Sequence, residues 1–284
     1  MTKSLIQRRD EFAAAYPEKR RIVNGREWGA IQLGEDGPAL ILIPGTLGRA
    51  DIFFQQILAL KSQTRLLVLT YPSSGGVAEW ADDIIGLVRA EGLESAVVLG
   101  SSLGGYLAQY LTAAYPAEIG GLVAANTLAS VDGIDRSMPY SLDLIQAPIA
   151  PLRQGFTDGL MGWTGPDHPY AELAALLLSE VNGRIPEAEL RARLNALKTA
   201  PVLPPQSLAK SAISIVESGD DHLIHPAVQA ALKTALPHGR CFTFEWGSHF
   251  PYVTRPDDYT AMLSEVLGLS KPGDHWPKGA VSQF

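Results

Sequence analysis

Short, mostly apolar runs alternate along this chain with segments that carry an apolar residue every three to four positions. Strands buried on both faces read as continuous apolar runs, and helices packed on one side read with a helical period. The pattern therefore predicts a mostly parallel sheet covered by helices on both faces. The first run is Ala39 to Ile43, stopped by Pro44-Gly45. A helix is predicted over Ile52 to Leu60, a strand over Arg65 to Leu69 and an amphipathic helix over Ala78 to Glu91. The strand Ser95 to Leu99 then runs into Gly100-Ser101-Ser102-Leu103-Gly104 and a helix reaching Tyr115, followed by a buried strand over Gly121 to Ala125.

The rhythm breaks from Ser130 to Ala209. Helical segments such as Ala171 to Asn182 and Glu187 to Leu197 occur there without a strand, and Pro148, Pro151, Pro166, Pro169 and Pro186 divide them into short pieces. The strand pattern resumes at Ala212 to Val216. It continues through a helix over Ala227 to Leu236, a strand over Cys241 to Glu245 and a helix over Asp257 to Leu267. The expectation is one α/β domain over residues 1–284, with a helical insertion at 130–209 and a loose polar tail at 270–284.

The candidate chemistry sits at strand ends. Gly100 to Gly104 is a G-x-S-x-G sequence between a strand and a helix, where a nucleophile occupies a turn too tight for side chains on the flanking positions. The central Ser102 hydroxyl is a weak nucleophile at neutral pH and needs a base. Of the six histidines, His249 alone lies just beyond the last predicted strand and before the final helix, where such a base is carried. Asp220 and Asp221 follow the Ala212 to Val216 strand and precede a helix begun by Pro226. Asp221 is favoured as the acid, because Leu223 and Ile224 would anchor its loop with the carboxylate facing the sheet edge; Asp220 is the alternative. An oxyanion would take backbone N–H groups from Leu103, after the nucleophile, and from Thr46, in the turn Ile43-Pro44-Gly45-Thr46-Leu47-Gly48.

The stretch from Ser102 to Asp221 is about twice what one strand, one helix and their loops require. The surplus is the insertion, which predicts a cap over the nucleophile, with Leu160, Met161 and Trp163 partly buried against the main domain. Met161 and Trp163, with Phe250 and Tyr252 beside the histidine, are candidates for an apolar acyl or alcohol site and equally readable as core.

Composition narrows the partners. The 284 residues are 46% hydrophobic and carry a net charge of −7 with both signs intermixed, which argues against nucleic acid and anionic lipid as partners. Cys241 is the single cysteine, so neither an internal disulfide nor a cysteine metal site is expected. No apolar run approaches the roughly 20 residues of a membrane span, and the N-terminal segment lacks a secretory apolar stretch, so the expected location is cytoplasmic. The expected partner is a small ester-like molecule, and a serine mechanism calls for no metal or organic cofactor.

With these motifs the sequence resembles the α/β-hydrolase superfamily over nearly the whole chain. The resemblance implies that fold, with Ser102, His249 and Asp221 as a nucleophilic triad. It also shows a departure: the turn after the first strand has Pro44-Gly45 where His-Gly is usual, so an orienting histidine is absent. More narrowly, the chain is similar to the maspardin family. That similarity rests on Ala50-Asp51-Ile52-Phe53-Phe54-Gln55-Gln56-Ile57-Leu58-Ala59-Leu60, on Ser102-Leu103-Gly104-Gly105-Tyr106-Leu107-Ala108-Gln109 and on Phe250-Pro251-Tyr252. That family has a binding or adaptor role, and its pattern has asparagine where this chain has His249; the resemblance therefore implies the fold, while His249 restores the base that hydrolysis needs. Two expectations follow: an acyl hydrolase, most directly of carboxylic esters, or a binding module. A cofactor-free haloperoxidase or a C–C hydrolase would use the same three residue types on this scaffold.

Overall fold

A computed structural model of the chain describes residues 3–274, Trp276 and the backbone of residues 281–283. The chain opens with helix α1 (Leu5–Ala15) and a hairpin of β1 (Lys19–Val23) and β2 (Arg26–Leu33). The apolar-rich runs form the parallel centre of the sheet: β3 (Ala39–Ile43), β4 (Arg65–Thr70), β5 (Ala96–Ser101), β6 (Ile119–Ala125), β7 (Ile213–Ser218) and β8 (Arg240–Phe244). Antiparallel β2 joins one edge of this block, and antiparallel β9 (Val281–Gln283) joins the other. The order is β1-β2-β4-β3-β5-β6-β7-β8-β9.

Side chains alternate across a strand, so Leu40 and Leu42 of β3 point to one face and Ala39, Ile41 and Ile43 to the other; all five are buried. One face is covered by α3 (Val77–Ala90), α4 (Leu103–Ala114) and α8 (Pro226–Ala235). The other is covered by α1, α2 (Phe54–Leu60), α9 (Pro251–Thr254) and α10 (Pro256–Val266). This is the mostly parallel, doubly covered sheet that the apolar pattern predicts, in the α/β-hydrolase fold that the resemblance implies.

The insertion contains α5 (Ile149–Met161), α6 (Ala171–Ser179) and α7 (Glu187–Lys198), with no strand among its described residues. Leu160, Leu173, Leu177, Val181 and Leu190 extend the core of the α1 face. Ions reinforce that contact. Glu180, fully buried, accepts from Arg9 of α1 and from Arg184, both at 2.5 Å, and Arg184 also pairs with Asp51 in the turn before α2. Burial pushes the Glu180 carboxyl above its ordinary range, against the pull of Arg184 and Arg9.

Three expectations need correction. Met161 is 54% exposed rather than docked: it follows buried Leu160, and one residue along a helix rotates the side chain by about 100°, onto the outer face. The segment from Ser270 is only partly a loose tail. Trp276 is buried edge-on against Phe242 and Phe244, and residues 281–283 pair with β8; residues 275, 277–280 and 284 lie outside the described residues. The β1–β2 hairpin is also additional to the predicted elements. Asn24 and Gly25 form its turn with φ of 49° and 78°, the left-handed geometry that a two-residue hairpin loop demands. Among the described residues no helix is long and apolar enough to cross a membrane.

Asp83 ties the hairpin to helix α3. Its fully buried carboxylate accepts from Arg26 Nε at 2.6 Å, Asn24 Nδ2 at 2.8 Å and the Trp28 indole at 2.9 Å. Asp83→Ala strands these donors, so it should lower the unfolding free energy by about 3 kcal/mol. Urea denaturation monitored by tryptophan fluorescence checks this, and an unchanged midpoint would contradict it.

Candidate active site

The chain passes from β5 into α4 through Ser102, which takes φ 55° and ψ −119°. A Cβ on Gly100 would lie 1.9 Å from the Gly104 carbonyl oxygen, and a Cβ on Gly104 would lie 2.4 Å from that of Ile43. Only glycine fits at either position. The strained serine is then gripped through its backbone: Ser102 N donates to Ala125 O at 3.0 Å, and Thr127 Oγ1 donates to Ser102 O at 2.6 Å. Such a conformation costs on the order of 1–3 kcal/mol, and the surrounding bonds hold it.

Strands β5, β6, β7 and β8 are consecutive in the sheet, so Ser102, Asn126, Asp221 and His249 emerge side by side at its carboxyl edge. Asp221 Oδ2 lies 2.8 Å from His249 Nδ1 and accepts from Asn126 Nδ2 at 2.9 Å. Its Oδ1 accepts from the N–H groups of Leu223 and Ile224 at 2.9 and 3.0 Å. Burial alone would raise this carboxyl. The positive charge and hydrogen bond of His249, the Ile224 N–H and the Asn126 amide outweigh it and hold the carboxyl down at about 2. Leu223 anchors the loop only by its N–H, since its side chain is exposed, whereas Ile224 is buried. A carboxylate on Nδ1 favours the tautomer that leaves Nε2 free to accept a proton. Among the described residues Ser102 Oγ makes no hydrogen bond, so the hydroxyl can rotate toward an acceptor.

Asp220 has a separate task. It accepts from the N–H groups of Gly247 and Ser248, at 2.9 and 2.8 Å, and from the Tyr170 hydroxyl of the insertion. It thereby fixes the turn just before His249, in which Ser248 has φ 56°.

On the other flank, Gly45 packs on Ser102: a Cβ there would meet that of the serine at 3.1 Å. Thr46 is the next residue, and Leu103 opens α4, where a helix leaves its first N–H groups without intrahelical acceptors. Phe250 is buried with its ring edge-on to that of His249, 5.2 Å between centroids. Tyr252 is core, 1% exposed, and packs on Phe53 and Tyr259. Trp163 is half-buried; it stacks on His168 and meets His222, the neighbour of Asp221, at 5.0 Å. His168 and His222 belong to this aromatic group. Burial pulls the His222 pKa down.

Sequence reasoning missed Asn126, Thr127, Tyr170 and the structural use of Asp220. A buried polar pair directly after the apolar β6 is a signal that could have found Asn126 and Thr127. Tyr170 has none.

The model of the "Alpha/beta hydrolase family" matches residues 40–262, most of the chain. The chain belongs to the alpha/beta hydrolase family. A protein of Escherichia coli O103:H2 (strain 12009 / EHEC) named for carbamate hydrolysis, RutD, is 25% identical to this hydrolase over 253 residues, covering 82% of this chain and 92% of that protein. The crystal structure of the enol-lactonase from Burkholderia xenovorans LB400 superposes with a TM-score of 0.72 at 18% identity, covering 88% of this chain and all (100%) of that one. A thermophilic esterase from Thermogutta terrifontis gives 0.72 at 17% identity, covering 89% and 98% of the two chains. At these identities the structural likeness shows the fold. No group of three or more His, Cys, Asp or Glu that could hold a metal ion occurs among the hydrolase's described residues.

Two predictions arise from the paired aspartates. The Asp221 carboxyl is held at about 2, below its ordinary value near 3.8, so the folded hydrolase binds fewer protons than the unfolded chain as pH falls between those values. The resulting stability, about 2 kcal/mol, is fully present above pH 5 and is lost as pH falls through 4 toward 2. Acid unfolding of Asp221→Asn should therefore lack that portion of the pH dependence, which denaturant titrations at pH 7, 4 and 3 would measure. Asp220→Ala frees the turn that aims His249 and should lower kcat about 10-fold. Asp220→Asn, which keeps an acceptor oxygen for the two N–H groups, should cost little; equal losses in the two variants would argue for a charge effect instead.

Proposed function

We propose that this α/β hydrolase cleaves small carboxylic esters through an acyl-enzyme on Ser102. The observation that carries the reading is the buried Asp221–His249 pair at 2.8 Å, with Nε2 free, at the strand ends beside a serine in the strained elbow conformation. In this reading Ser102 Oγ attacks the acyl carbon, and its proton passes to His249 Nε2. Asp221 holds the resulting imidazolium. The carbonyl oxygen becomes an oxyanion that takes the N–H groups of Thr46 and Leu103. Collapse expels the alcohol, which leaves with the proton from Nε2, and a water then repeats the sequence on the acyl-serine.

The residues 130–209 act as a cap that admits substrate to Ser102, with Trp163 and Phe250 as apolar walls. Relatives named for carbamate, lactone and ester chemistry support an acyl carbon as the common target. The single, buried Cys241, whose thiol burial raises to about 11, fits a reducing cytoplasmic setting. The maspardin family has a binding role instead. The oriented, buried Asp221–His249 pair beside Ser102 supports proton transfer over binding alone.

Wild type should hydrolyse p-nitrophenyl acetate or butyrate and react with a fluorophosphonate probe, and Ser102→Ala should lose both. Asp221→Asn should lower kcat by about 10⁴-fold by misorienting the ring. Full turnover in Ser102→Ala would overturn the assignment. An inert wild-type serine would favour the binding role.

A further inference from the structure

Arg193, on α7 of the insertion, is a fully buried cation outside the proposed triad. Its Nη1 donates to Thr46 O at 2.9 Å and to Gly48 O at 2.8 Å, and its Nη2 pairs with Glu189 at 2.9 Å. The guanidinium lies over the Tyr71 ring, 5.2 Å from the centroid, and the Tyr71 hydroxyl donates to Pro44 O at 2.7 Å. Burying a cation is expensive, and an apolar side chain of similar volume would fill the space at lower cost.

What the guanidinium accomplishes follows from the peptide units it touches. The proposed oxyanion donor, Thr46 N–H, belongs to the Gly45–Thr46 peptide. The carbonyl of that peptide accepts from Gly48 N at 3.1 Å, which points its N–H the opposite way. The carbonyls of the peptides on either side are held by Tyr71, through Pro44 O, and by Arg193, through Thr46 O. Arg193 also holds Gly48, the residue whose N–H closes the turn. The Pro44-Gly45 sequence supplies no orienting histidine, and Arg193 reaches into the same turn from 147 positions away.

We propose that Arg193 is a positioning residue, whose guanidinium holds the Pro44–Gly48 turn so that Thr46 N–H faces the oxyanion, making the site complete only when the insertion is docked. This rests on the ester-hydrolase reading above. An uncoordinated turn at this place is free to rotate its peptides, and a rotated Gly45–Thr46 peptide presents a carbonyl to the developing negative charge.

The test compares wild type with Arg193→Met and Arg193→Lys by p-nitrophenyl ester kinetics and by inhibition with an aryl trifluoromethyl ketone, which forms an anionic adduct with the serine. Thermal melts report folding. A lost oxyanion donor costs about 10²–10³ in kcat, so a misaimed one should cost about 10–100-fold, with KM changed less than about 3-fold. Inhibitor affinity should fall in proportion to kcat/KM. Arg193→Lys keeps the buried charge but not the planar guanidinium that ties the two carbonyls, through Nη1, to Glu189, through Nη2; it should be intermediate, and it decides the matter where Arg193→Met does not fold. Wild-type kcat and inhibitor affinity in either folded variant would overturn the proposal. Wild type without Ser102-dependent turnover would instead remove the ester-hydrolase reading, which keeps the two failures distinct.

Discussion

The proposed catalytic edge of this protein depends on backbone meeting backbone where β5 hands over to α4. The Gly104 carbonyl sits where a Cβ on Gly100 would be, and the Ile43 and Pro44 carbonyls sit where a Cβ on Gly104 would be. One crowded point thus brings three segments together: the strand ahead of Ser102, the first turn of α4 and the turn after β3. The serine is driven to a positive φ because no relaxed backbone makes so sharp a corner. The same closeness lays the Pro44–Gly48 turn beside the N-terminus of α4, where uncommitted N–H groups and the helix dipole favour negative charge.

Facing that corner, two adjacent aspartates divide the work of holding one histidine. Asp221 spends both oxygens on four donors, one of them His249, which hold its carboxyl below the ordinary aspartate range. Asp220 holds the backbone that carries the histidine and receives a hydroxyl from Tyr170 of the insertion. One carboxylate orients the ring and the other orients its turn. The insertion therefore touches both flanks of the proposed site, Asp220 through Tyr170 and the Thr46 turn through Arg193.

The parts of this arrangement that were legible in the sequence are those written locally. Apolar runs such as Ala39–Ile43 mark strands buried on both faces, and the Gly100 to Gly104 spacing marks the corner because the steric demand falls on residues two apart from the serine. His249 and Asp221 are singled out in the sequence by their order after β8 and β7, and it is Asp221, not Asp220, that hydrogen-bonds the ring. The hairpin of β1 and β2 was missed because its strands lie at the sheet edge and mix exposed with buried residues, although Asn24-Gly25 was a readable turn. Arg193 and Tyr170 were invisible for another reason: each acts on a partner brought to it only by the folded insertion. The Leu160 and Met161 pair shows the limit of apolar composition without phase, since both are apolar and only one faces inward.

The cluster of Arg9, Asp51, Glu180 and Arg184 bears on how this architecture can be inherited or recombined. Glu180 has no water to fall back on, and its neutralising cations come from α1 and from its own helical turn, with Asp51 of the main domain balancing Arg184. The insertion and the first helix are therefore one unit split across the chain. Grafted alone onto another hydrolase scaffold, residues 130–209 would import a buried carboxylate stripped of one of its counterions. The segment is portable only together with α1, and exchanges of this insertion between relatives should respect that pair as a single cassette.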